Sequence, residues 1–169
     1  MRNLLLSALL SVVATLPAQA QDNASVSAHN MRLAIEVCLL NYRTEPGLSE
    51  AFLVAGFTLY DGLDPGSYEF EADGVSGLFT TRDATGYCTV QSPLVPLATA
   101  EALGAELATT LFPGNVVAGG PEHPVGTPVP PCAGLSVFAL QQLITITYAA
   151  AGNSGECLID GTSAVIISM

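Results

Sequence analysis

Four cysteines, Cys38, Cys88, Cys132 and Cys157, stand far apart behind an N-terminus built as an export leader, and this pairing of features constrains the fold more than any other. In an oxidising compartment, widely spaced cysteines read as a disulfide framework. No C-x-x-C pair is present. Zinc sites usually draw their ligands from two close pairs and thiol oxidoreductases use one, so the sequence names no metal site and no redox motif.

The leader has three zones. Arg2 supplies positive charge, Leu4 to Leu16 an apolar stretch, and Pro17-Ala18-Gln19-Ala20 a small-residue cleavage site. This is the pattern of a secretory signal peptide spanning residues 1–20, with cleavage before Gln21. The apolar stretch falls short of the roughly 20 residues needed to cross a bilayer, which argues against a retained anchor. No cysteine stands at the cleavage point to carry a lipid. The remaining 21–169, about 150 residues, is the usual size of one domain. Glu36 interrupts the apolar run at Leu33 to Leu40, and Gln141 and Gln142 interrupt the one at Leu135 to Ala151, so no membrane insertion is expected after cleavage. Together these features place the chain in the periplasm or outside the cell. The Ala/Gly-rich, lysine-free composition looks bacterial.

Charge narrows the partners. The chain carries 15 Asp and Glu against 4 Lys and Arg, and only Arg32, Arg43 and Arg82 remain as fixed cations after cleavage. Nucleic acids and anionic lipid surfaces both require clustered cations, so neither is expected as a partner. Net charge far from zero keeps a protein dispersed, which accounts for the acidity without a cationic ligand.

Residues Gln21 to Ser27 are polar and small and predict a frayed start. Met31, Ile35, Cys38, Leu39 and Tyr42 then recur at helical spacing, with Arg32 and Glu36 four apart on the wet side and able to pair weakly. Glu45-Pro46-Gly47 ends this helix, and a shorter one is expected from Ser49 to Ala55. From Phe57 the period becomes two: Phe57 and Leu59, then Tyr68 and Phe70 between Glu69 and Glu71, read as strands with one solvated face. Asp73-Gly74 and Asp83-Ala84-Thr85-Gly86 mark turns in an antiparallel meander whose later strands lie near Gly77 to Arg82 and at Tyr87 to Gln91.

Leu97 to Phe112 returns to helical spacing, bounded by Pro96 and Pro113. The Pro/Gly-rich stretch 113–131 reads as a long loop, and Leu135 to Ala139, Leu143 to Ala149 and Cys157 to Met169 as strands. The fold class is α+β: an antiparallel sheet of about six or seven strands, two main helices packed on one face, and two disulfides. Gly86-Tyr87-Cys88 and Gly155-Glu156-Cys157 form a faint internal echo, which favours pairing Cys38 with Cys88 and Cys132 with Cys157.

No residue set rises to a catalytic assignment. A nucleophilic hydrolase needs a base within reach of its Ser or Cys. His29 reads as a residue flanking the first helix, and His123 lies beside Glu122 in the Pro/Gly loop. Gly152-Asn153-Ser154-Gly155 is a hairpin turn rather than a nucleophile elbow. Asp61, Asp64 and Asp73 lack the calcium-loop spacing, and Glu69 and Glu71 alternate with apolar residues that turn them to water. Without lysine there is no P-loop amine, and no dinucleotide fingerprint occurs, so no cofactor is expected. Tyr60, Tyr68 and Tyr87 could form a stacking surface. The sequence therefore favours a non-catalytic binding or interaction module for an unknown protein or small molecule, with loop 113–131 as its contact surface. A small hydrolase using carboxylates or His123 is the alternative.

Overall fold

A computed structural model describes residues 18–41, 44–80, 86–120, 123, 128–139, 142–152 and 155–169. Most of the expected leader, the Asp83 to Thr85 turn, Arg43, Arg82, Glu122 and Ser154 lie outside these residues. Eight strands form one sheet: β1 (Thr58–Asp61), β2 (Ser67–Ala72), β3 (Val75–Thr80), β4 (Tyr87–Ser92), β5 (Val116–Ala118), β6 (Leu135–Ala139), β7 (Gln142–Ala149) and β8 (Ser163–Ser168). Their spatial order is β1-β2-β3-β4-β8-β7-β6-β5, and every neighbouring pair is antiparallel. The α+β class holds, with one strand more than the upper expectation.

Three helices, α1 (Ala18–Asn41), α2 (Glu45–Val54) and α3 (Leu97–Leu111), pack on one face. Helix α1 crosses β3, β4 and β8, α2 covers β1, and α3 lies over β7 and β8. The first of them starts earlier than expected: residues 22–26 are exposed, but the helix is seated on the sheet from Ser27 onward. Ser27 is buried, its hydroxyl donates to the Asn23 carbonyl at 2.8 Å, and Asn30 Nδ2 donates to the Asp73 carbonyl in the β2–β3 turn at 3.0 Å. Glu45-Pro46-Gly47, expected as a helix end, opens α2 instead. Proline is tolerated in a first turn because the N–H it lacks would be unpaired there anyway.

The sheet's alternation decides the layers. Leu59, Phe70, Gly77, Val90, Val165 and Tyr148 form one cross-strand row beneath the helices. Gly77 is required there, since a Cβ would meet both the Phe70 ring and the Thr89 carbonyl. Phe52 from α2 stacks on Phe70 with centroids 4.1 Å apart and on Phe79 at 5.3 Å, joining that helix to the β1–β3 end of the core. At the other end α3 approaches through Ala100, Gly104 and Ala108, small residues that bring it close to β7 and β8.

Cys38 bonds Cys88, and Cys132 bonds Cys157. The two links differ in kind. The first ties α1 to β4 inside the core with both residues fully buried, whereas the second joins the turn before β6 to the loop ahead of β8, with Cys157 exposed. The echo that favoured this pairing therefore does not mark equivalent units: Cys88 lies within a strand and Cys157 does not, because residues 155–162 are irregular and the last strand begins only at Ser163. The expected loop 113–131 also contains structure, since Val116 to Ala118 pair with Leu135 to Val137 as the edge strand β5.

Candidate functional site

The residues that alternate with the core rows point away from all three helices. Tyr60, Glu69, Leu78, Thr89, Ile166 and Thr147 form one row on this open face, and Thr58, Glu71, Ser76, Gln91, Ala164 and Ala149 form the next. Toward the β1–β2 loop runs a third row, Ser67, Thr80, Tyr87, Ser168, Thr145 and Ser136. On the β8–β6 half of the face the hydroxyls of Ser168, Thr145, Thr147 and Ser136 mix with apolar Ile166, Ala164, Ala149, Phe138 and Leu143. The acidic groups and the tyrosines gather on the β1–β4 half.

Two cavities indent that acidic half. One, of about 760 Å³, is bounded by Leu63, Asp64 and Pro65 of the β1–β2 loop, by Glu69, Leu78 and Tyr87 on the strands, and by Met169. The other, of about 360 Å³, is bounded by Tyr60, Glu69, Glu71, Ser76, Leu78 and Gln91. Glu69 and Leu78 belong to both, so the cavities form one continuous trough. Leu63 is fully exposed at one end and Tyr60 half exposed at the other. No Lys or Arg lines the trough among the described residues. Thr89, between Leu78 and Ile166 in the first of these rows, borders neither cavity; it is 4 % exposed and its hydroxyl is buried with no hydrogen-bond partner.

The residues singled out in the sequence are largely dispersed. Tyr60 and Tyr87 share the open face, but Tyr68 points to the helical side and stacks on Phe79 at 5.4 Å, so no three-tyrosine surface forms. Asp64 borders the larger cavity while Asp61 pairs with Tyr68 in the opposite layer, which separates these two carboxylates. The Asp64 carbonyl accepts the Ser67 N–H at 3.0 Å and its hydroxyl at 2.7 Å, an arrangement of turn chemistry. His29 lies exposed within α1 rather than ahead of it. His123 is half-buried, and its Nδ1 accepts the Gly120 N–H at 3.2 Å, which leaves Nε2 as the protonated nitrogen of the neutral ring. Among the described residues no group of three or more His, Cys, Asp and Glu is placed to hold a metal ion.

Sequence reasoning missed the trough, because it depends on register. Glu69 and Glu71 were legible as solvated, yet their alignment with Tyr60, Leu78 and Ser76 follows only from which strands pair. Among the described residues the one strongly displaced titration lies on the other face, where burial, aided by the Glu101 charge, pushes the Tyr148 phenol well above its ordinary range. Asp160, in the loop between β7 and β8, is held below the usual carboxylate range by hydrogen bonds from the Thr162 hydroxyl and N–H. Neither group borders the trough. Comparison with known protein families, curated proteins and solved structures finds no match.

Proposed function

We propose that this chain is an exported, disulfide-stabilised, non-catalytic binding module, released by cleavage before Gln21 into the periplasm or the medium, with the open face of its sheet as the ligand surface. The observation that carries the reading is the one-sided packing: all three helices cover a single face, and the other holds a continuous trough. Ser136, Ala149 and Ala164 on that other face are buried, so its exposed β1–β4 half, which carries the cleft, is the natural place for a ligand. Two disulfides fit an oxidising compartment, and no described helix is long and apolar enough to cross a membrane.

The open face replaces loop 113–131 as the favoured contact surface, because part of that loop is fixed to the sheet. Its β5 strand pairs with β6, and the Ser136 hydroxyl donates to the Gly119 carbonyl at 2.8 Å. The hydrolase alternative gains nothing specific from the exposed Glu69 and Glu71 or from the engaged Nδ1 of His123. A photo-crosslinking residue at Ser76, on the open face, should capture partners in the producing organism, and one at Thr109, on the outer side of α3, should not. Adducts confined to position 109 would remove the assignment.

A further inference from the structure

The trough's chemistry narrows its occupant, on the premise that the open face is the ligand surface. We propose that it takes an extended basic segment of a partner protein, with lysine or arginine at alternate positions. Glu69 and Glu71 stand two residues apart on one strand face, which places them about 7 Å apart along β2. An extended chain repeats its side chains at the same interval, so alternate cations on it fall into register with both carboxylates. A helix does not reproduce that spacing along one line.

Length agrees with this. Along β2 the trough runs from Ser67 to Glu71, about 13 Å, so some five extended residues lying parallel to that strand span it. Charge complementarity excludes a second copy of the chain, since 15 acidic residues against 4 basic would set acid against acid. Anionic ligands are repelled for the same reason. Tyr60 and Tyr87 border the trough, and aromatic rings attract cations. Leu78 and Met169 supply an apolar strip for the aliphatic stems of the cationic side chains.

Three acetylated and amidated hexapeptides test the proposal against the mature, oxidised protein by amide chemical-shift mapping and titration calorimetry. The first alternates Lys and Thr, the second has the same composition with its lysines contiguous, and the third replaces each Lys by Glu. The alternating basic peptide should shift Tyr60, Glu69, Leu78 and Tyr87, bind more tightly than the contiguous one, and weaken with salt. Glu69→Gln/Glu71→Gln, with an unchanged circular dichroism spectrum, should lose about tenfold in affinity. Equal binding of the two basic peptides, undiminished binding by the double variant, or no shifts on this face would each overturn the proposal. Crosslinked adducts at Ser76 that persist when the peptides fail would leave the open face as a ligand surface and remove only its basic occupant.

Discussion

Gly104 shows how one missing side chain sets the distance between α3 and the sheet. A Cβ at this position would run into the Tyr148 phenol, and Tyr148 is 5 % exposed on β7, with no room to retreat. In an open helix Gly→Ala is favourable by about 1 kcal/mol, whereas overpacking a core costs about 1–3 kcal/mol. The clash wins here, because the atoms met belong to a ring held between α3 and β8. Gly104→Ala should therefore lower the denaturant midpoint, and Tyr148→Phe, which deletes the nearest atom, should partly restore it in a double-mutant cycle. The same phenol carries a pH dependence. Its folded pKa is raised above the unfolded value of about 10, so the folded state keeps a proton that the unfolded state releases, and stability falls as pH rises past about 10. Tyr148→Phe should fall less steeply over that range in urea titrations at successive pH values. On the other side of the sheet, Thr89→Val removes a hydroxyl that is buried without a partner while keeping the shape. It should be neutral or stabilising by up to about 1 kcal/mol, in contrast to the usual cost of a buried polar deletion.

Among the elements, the two disulfides should behave differently despite their similar geometry across the backbone, with Cα–Cα separations of 6.2 and 5.9 Å. Loop closure over sequence separations of 50 and 25 gives about 4 and 3.5 kcal/mol of restraint on the unfolded chain. Access separates them more than energy does. Cys38 and Cys88 are sealed under α1, while Cys157 is exposed, so mild reductant should open Cys132–Cys157 first, as read by differential alkylation and peptide mapping. Reduction of the buried pair before the exposed one would contradict this order. The elements themselves were legible wherever periodicity was strong, as in α3 and β7. They were misread where a local signal had two uses. Pro46 could close one helix or open another, and only packing of Leu48 and Phe52 in the core selects the second. Polar residues 21–27 read as frayed because residues 22–26 are exposed and the seating of Ser27 against Gly74 in the β2–β3 turn is a tertiary contact that no local pattern announces. Edge strand β5 was hidden for the same reason: three residues between Pro113 and the Gly-rich run carry no period of their own. Arg32 was expected to pair with Glu36 one turn away, yet its guanidinium donates to Glu106 on α3 at 2.9 Å.

For the whole molecule, the imbalance of charge and the one-sided layering bear on the same carboxylates. With 15 acidic against 4 basic residues, and Arg32–Glu106 the one ion pair found among the described residues, the folded chain concentrates negative charge that the unfolded chain spreads out. Compaction against that repulsion is unfavourable, and salt shortens its range from about 30 Å at 0.01 M to about 8 Å at 0.15 M. Added sodium chloride should therefore raise the melting temperature, because among the described residues the attraction it weakens is the half-exposed Arg32–Glu106 pair, against the repulsion of a net charge of -11. Glu69 and Glu71 are a focused test of that reasoning. They stand on one exposed strand face and gain no helix or cation of this chain among the described residues, so neutralising them relieves like-charge contact without removing packing. The Glu69→Gln/Glu71→Gln variant should melt higher than the wild type at low salt, with the difference shrinking as salt is added. A lower melting temperature at every ionic strength would show that these carboxylates hold the fold together, and the trough would then have no acidic groups to spare for a ligand.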